Sequence, residues 1–314
     1  MESKFMVPLI LLLSLATIAE VASNSLDGAF PTIAEAHWKT VLPDTRMPVV
    51  INELLHPAEK SHSAGVIIDN NGNNGYNIYG KEDFTSLRNV PDATLFFLED
   101  DLKRSGTRMH IQLSKRMTNS ASFLPQSEAK SIPFSTADLP NTLSRFSIKP
   151  NSNLALRMQE TLQQCEAPAL KSEEKLCATS LESMVDFVVS KLGTNKGVQA
   201  RVTVLEDRTV SKRAFKWYMV AGMAEEVGYV KTVNCHPQTY AYLTYYCHSL
   251  KGTRTYVVPF VGDDGTNAEV VAECHSDTSE WDAKHISFKM LHVKPGSVPI
   301  CHALPEDSIV WMTS

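Results

Sequence analysis

Four of the six cysteines in this 314-residue chain are each followed directly by a histidine. The dipeptides are Cys235-His236, Cys247-His248, Cys274-His275 and Cys301-His302. Ten residues separate the first two pairs, and 25 separate each later pair from the one before it. Adjacent residues on a strand point to opposite faces, so each dipeptide on a strand sends sulfur one way and imidazole the other. Clustered imidazoles suit copper, zinc, iron or nickel. In an oxidising compartment the four sulfurs pair into two disulfides and fix the backbone beneath the imidazoles. With the thiols withdrawn in this way, all-nitrogen copper(II) chemistry is favoured over thiolate copper(I) or Cys-rich zinc. Four cysteines allow three pairings, and the spacing does not choose among them. The plainer alternative is two structural disulfides with histidines that merely pack nearby. His285, ten residues beyond His275, is an additional ligand candidate, on a segment His285–Met290 that alternates as a half-buried strand.

The elements that position these residues are legible in outline. Leu154, Met158 and Leu162 recur at helical spacing on a segment that runs to Cys165. A second helix begins at the capping-box pattern Thr179-Ser180-Leu181-Glu182 and carries the stripe Leu181, Met184, Val185, Val188 and Leu192, with Gly193 as its stop. Cys165 closes the first helix and Cys177 opens the second, so a disulfide between them staples the pair. Leu95–Leu98 reads as a strand, with Glu99-Asp100-Asp101 as its solvated end; a calcium site there is the weaker alternative. Leu124–Pro140 reads as extended and proline-punctuated. Thr255–Val261, Asp263-Asp264-Gly265 and Ala268–Cys274 form a hairpin signal. The fold expected is a single α+β domain, a helix pair on a mainly antiparallel sheet, stapled by disulfides.

The amino terminus fixes the compartment expected. Lys4 precedes the apolar run Phe5–Ala19, and Val21-Ala22-Ser23 offers a cleavage site after Ser23. A signal peptide over residues 1–23 sends the chain into the secretory pathway, and no later run is long enough to span a membrane. With 30 basic and 35 acidic residues the net charge is −5, which argues against a nucleic-acid partner. Hydrophobic residues make up 43%, too many for a disordered chain. Residues 24–93 form a variable segment. It contains the Asn/Gly-rich stretch Asn70–Gly80, which carries the units Asn74-Gly75-Tyr76 and Asn77-Ile78-Tyr79. No Asn-X-Ser/Thr acceptor occurs, and no serine-hydrolase, zinc-protease or phosphate-loop motif appears.

The four dipeptides and several other motifs resemble the plant BURP-domain family. Phe96-Phe97 with Asp101-Leu102, Ile132–Ser135, Cys165–Pro168, Cys177–Phe187, His275–Thr278, Val293–Gly296 and Cys301–Pro305 are similar to its internal motifs. The likeness covers residues 94–314, and Trp38–Pro57 is similar to the segment before the domain in the unknown-seed-protein and dehydration-responsive types. The resemblance implies that His236, His248, His275 and His302 bind copper, as one ion or two, and that the adjoining cysteines form disulfides. Some members are copper-dependent, dioxygen-using cyclases that crosslink a core peptide in their own chain. In this chain the two Asn-X-Tyr units make residues 69–81 the candidate core, with Tyr76 or Tyr79 as the crosslinked residue; the alternatives are an Asn/Gly-rich linker with incidental tyrosines, or a separate small peptide as substrate. The Trp-ended core of some members is absent. Other members are non-enzymatic proteins of seed, stress response or cell wall, so a wall component is the alternative partner. The apoplast, the wall or a storage vacuole is the implied destination.

Overall fold

The computed structural model describes residues 32–56, 92–113, 122–206, 215–228 and 231–313. The expected signal peptide and the segment 69–81, with Tyr76 and Tyr79, lie outside them. Two antiparallel sheets dominate. The five-stranded sheet runs β3 (Glu173–Ala178), β9 (Thr244–Leu250), β8 (Thr232–Gln238), β13 (Ile309–Thr313) and β4 (Val198–Arg201). The eight-stranded sheet has the path β1 (Phe97–Leu98), β12 (Ile300–Ala303), β11 (Asn267–His275), β10 (Thr253–Gly262), β6 (Lys216–Val220) and β2 (Arg108–Ile111). Off that path, β5 (Val204–Leu205) pairs with β11 and β7 (Glu225–Gly228) with β10.

The β10–β11 hairpin is the one the sequence signals. Its register runs from Val261↔Asn267 to Thr253↔His275, and Gly265 takes the left-handed conformation (φ 81°) that its tight turn requires. The sheets meet through Val271 and Leu304 on one side and Val310 and Met312 on the other. The other face of the five-stranded sheet is covered by α1 (Ile33–Val41) and α7 (Leu181–Leu192), whose Leu181, Met184, Val185 and Val188 pack with Cys235, Cys247, Tyr245 and Trp311. Trp38 of α1 stands 5.4 Å from Trp311, ring to ring. Burial of each such side chain stabilises by about 1.5–3 kcal/mol. Short α2 (Val49–Leu55) adds Val50, Ile51 and Leu54 to that core.

Helix α6 (Asn153–Glu166) packs through Met158 and Leu162 against Tyr240–Tyr242, the loop between β8 and β9. Its Cys165 is bonded to Cys177, with Cα atoms 5.8 Å apart. Cys177 lies on strand β3, not at the start of α7, so the staple joins a helix to a sheet edge. Helix α7 is capped one residue later than the sequence pattern suggests: Ser180 is the N-cap, and its partner is Ser183. Gly193 ends it with φ 75°.

Three further local expectations are corrected. Only Phe97–Leu98 is strand, and Glu99-Asp100-Asp101 opens α3 (Glu99–Lys103), where acidic residues complement the helix dipole. Glu99 is buried, not solvated, and accepts hydrogen bonds from Arg254 (2.7 Å), Lys103 (2.9 Å) and the Tyr256 hydroxyl. Two of the three prolines in the stretch 124–140 start helices: Pro125 caps α4 (Gln126–Ser131), and Pro140 lies in the first turn of α5 (Leu139–Arg145), while Pro133 lies in the extended link between them. His285–Met290 is not a strand. Residues Ile286–Leu291 form α8, with His285 as N-cap accepting from the Ser287 N–H and His292 as a left-handed C-cap. Ile286 and Met290 suit helical spacing as well as alternation, and over six residues the two periods do not separate. No helix among the described residues is long and apolar enough to cross a membrane.

Candidate metal centre

Strand parity builds the centre. On β8 and β9, Cys235 is paired directly with Cys247, and on β11 and β12, Cys274 with Cys301. Each opposed pair is bonded across its two strands, with Cα atoms 4.0 Å apart in both cases. The Cys235–Cys247 sulfurs face the core under α1 and α7; the Cys274–Cys301 sulfurs face a second core with Phe97, Met109 and Tyr256. The imidazoles therefore turn to the space between the sheets. Both faces are buried, so the dipeptides are anchored on one side and converge on the other.

All four imidazoles meet there, each 1–2% exposed. His236 Nε2 lies 3.3 Å from His248 Nε2, and His275 Nε2 lies 3.2 Å from His302 Nε2. Across the sheets, the His236 and His302 rings are 6.2 Å apart, and those of His248 and His275 are 6.5 Å apart. Glu273 lies between the pairs, its Oε2 3.6 Å from His302 Nε2 and 4.0 Å from His236 Nε2. His236, His248 and Glu273 can hold a cation together, and so can Glu273, His275 and His302. His285 belongs to neither group. Its Nδ1 is 2.7 Å from Ser287 Oγ, and its ring stands against Trp281 (4.9 Å), which in turn stands against His275 (5.3 Å).

The remaining ring nitrogens meet an outer layer. His236 Nδ1 is 3.4 Å from Ser308 Oγ, and His275 Nδ1 is 3.2 Å from Thr253 Oγ1. His248 Nδ1 is 3.4 Å from Glu173 Oε1, which also accepts a 2.6 Å bond from the Tyr246 hydroxyl. Burial would raise the Glu173 carboxyl, but hydrogen bonds from His248 and Tyr246 outweigh it and hold the group at about 2. Burial pushes His275 down to about 3, helped by repulsion from His248 and His285. Burial alone drives the Glu273 carboxyl well above the usual range.

These facts fit a metal ion. Both Glu273 oxygens are buried without a hydrogen-bond partner among the described residues, as are both polar atoms of the Asn234 side chain. A buried carboxylate in that condition is costly unless a cation offsets it. Four imidazoles and one carboxylate form a donor set for copper(II) or zinc. Sequence reasoning missed Glu273, Asn234, Glu173 and Tyr246. The first two carried a usable signal: Glu273-Cys274-His275 and Asn234-Cys235-His236 are i, i+2 arrangements, so the residue before each cysteine shares the histidine's face.

Comparison with known proteins bears on this arrangement. The sequence profile described as the BURP domain matches residues 95–313. The chain is 40% identical to BURP domain-containing protein 5 of Oryza sativa subsp. japonica over 88% of this chain and 86% of that protein. It is 45% identical to BURP domain-containing protein 3 of the same rice over 73% of this chain and 53% of that protein. It is 42% identical to BURP domain protein RD22 of Arabidopsis thaliana over 76% of this chain and 60% of that protein. This chain belongs to the BURP-domain family of plants.

Proposed function

We propose that this BURP-domain protein binds copper(II) through His236, His248, His275 and His302, with Glu273 as the carboxylate between them. We further propose that its activity is oxidative crosslinking of Tyr76 or Tyr79 in its own N-terminal segment. The carrying observation is the convergence of two Nε2···Nε2 pairs, at 3.2 and 3.3 Å, on a buried carboxylate with no hydrogen-bond partner among the described residues. Copper with dioxygen supplies the one-electron oxidations that a crosslink losing two hydrogens requires.

The chain's own residues do the rest. Burial keeps His275 neutral and thus able to donate a lone pair. The Cys235–Cys247 and Cys274–Cys301 bonds fix the strands beneath each imidazole pair. Glu273 offsets cationic charge from its place between the sheets. A core peptide within the same chain needs no bimolecular encounter. The three disulfides are consistent with an oxidising destination, and we place the protein in the secretory pathway, bound for the apoplast, the wall or a storage vacuole.

The test is to treat the disulfide-intact full chain with copper(II) under air and read its mass and peptides. Loss of two hydrogens within residues 69–81 supports the activity. Bound copper with unchanged mass, with and without added small peptides, contradicts it. One observation favours a second reading, a non-enzymatic protein of seed, stress response or wall organisation. With the imidazoles at most 2% exposed, a peptide reaches them only if covering residues such as Trp281 move.

A further inference from the structure

Behind the four imidazoles, His248 Nδ1 faces a carboxylate, Glu173 Oε1, at 3.4 Å. His236 and His275 meet hydroxyls there, from Ser308 and Thr253. Glu173 is fixed on both oxygens. Oε1 accepts from the Tyr246 hydroxyl at 2.6 Å, and Oε2 accepts from the Leu170 N–H at 3.2 Å. Its strand, β3, is tied twice to helix α6. Cys177 is bonded to Cys165, and Lys175 Nζ donates to the Gln164 carbonyl at 2.7 Å. Glu173, Lys175 and Cys177 alternate along β3 and so share one face.

We infer that Glu173 is a positioning residue for His248: it accepts the Nδ1 proton, fixes the tautomer, and turns the Nε2 lone pair toward His236. The Cys165–Cys177 bond, which looks remote from the centre, holds the strand that delivers this carboxylate. The inference rests on the copper reading for its consequence but not for its geometry. An ionised carboxylate only accepts, so the imidazole nitrogen facing it carries the proton. A carboxylate behind a ligating histidine orients the ring and strengthens it as a donor, and its loss weakens metal affinity by about 10–100-fold.

The test uses the full chain with its disulfides intact. In metal-free, 15N-histidine-labelled protein, with His248 assigned by its loss in His248→Gln, the expected state is Nδ1–H. In Glu173→Leu the expected result is an Nε2–H or mixed tautomer, and copper(II) affinity about tenfold or more weaker by competition titration. Glu173→Gln keeps an oxygen acceptor and should retain the Nδ1–H tautomer, with a smaller loss of affinity. A folded Glu173→Leu with unchanged tautomer and unchanged affinity overturns the inference. So does an Nε2–H His248 in the unsubstituted protein, a result that stands even if Glu173→Leu does not fold. If the unsubstituted protein takes up no copper, the metal reading fails, and the tautomer still decides the positioning role.

Discussion

The centre is built from two rungs of one design, and their differences are more instructive than their likeness. On β8 and β9 the rung is Asn234-Cys235-His236 facing Cys247-His248; on β11 and β12 it is Glu273-Cys274-His275 facing Cys301-His302. In each, a disulfide links directly opposed cysteines, and the two imidazoles sit diagonally on the other face. Asn234 occupies in the first rung the place that Glu273 occupies in the second. Asn234 pairs in register with His248, as Glu273 does with His302. One rung thus carries a neutral amide where the other carries an ionisable carboxyl. The first rung takes its negative charge from outside, through Glu173 on β3. The two rungs also close loops of different length, 12 residues against 27. The longer loop carries α8, Trp281 and His285 over the His275 side.

The largest effect should come from breaking a rung. Replacing both Cys274 and Cys301 by alanine should cost about 2–5 kcal/mol in denaturant titration. The Cys165–Cys177 and Cys235–Cys247 bonds each span 12 residues, so chain entropy predicts similar costs of about 3 kcal/mol. Copper affinity separates them: loss of Cys235–Cys247 should weaken it far more than loss of Cys165–Cys177. Equal effects on affinity would contradict a special role for the rungs.

Next comes acid. His275 has a folded pKa of about 3, below its unfolded value of 6.5. Its contribution is therefore complete above about pH 6.5 and is lost as pH falls toward 3. The metal-free protein should lose about 1.4 kcal/mol per unit below pH 6.5 from this group. His275→Asn should flatten that slope, and an unchanged slope would contradict the burial argument.

Glu273 works in the opposite sense. Its folded pKa lies above its unfolded value, so in the metal-free protein its contribution is complete below about pH 4.5 and is lost as pH rises. Glu273→Gln should therefore stabilise the metal-free protein at pH 7, leave it little changed near pH 4, and weaken copper affinity about tenfold or more. A variant that is weaker on both counts at pH 7 would show that Glu273 is a packing residue. The smallest effect belongs to its counterpart. Asn234→Val removes a side chain with no hydrogen-bond partner among the described residues and should shift stability by less than about 1 kcal/mol, since an apolar replacement of an unpaired polar group is nearly neutral. Copper affinity should hold within about threefold.

Much of this was legible in the sequence because the periodicities were unambiguous. Leu181–Leu192 carried a full stripe and a glycine stop, and the β10–β11 hairpin carried an Asp-Gly turn between apolar runs. The dipeptides pointed to a two-faced strand, and the structure shows both faces buried. What failed were short segments where two periods coincide, as at Ile286–Leu291, and prolines that start helices as readily as they break them. The pairing of Cys235 with Cys247 and of Cys274 with Cys301 depends on strand register, which spacing alone does not contain. Glu173 was out of reach because 75 positions (248 − 173) separate it from His248, and only the pairing of β3 with β9 brings the two together. Glu273 was within reach by parity, since it stands two residues before His275 on the same strand.

The central claim is that both rungs together hold copper(II) by imidazole nitrogen. It is tested most directly by equilibrium dialysis of the disulfide-intact protein against copper(II), with electron paramagnetic resonance on the bound fraction. The expected result is stoichiometric copper with nitrogen hyperfine coupling, lost or sharply weakened in both His236→Ala and His302→Ala while each variant stays folded. No bound copper in the unsubstituted protein, or a signal unchanged by substituting a histidine from either rung, would contradict the account.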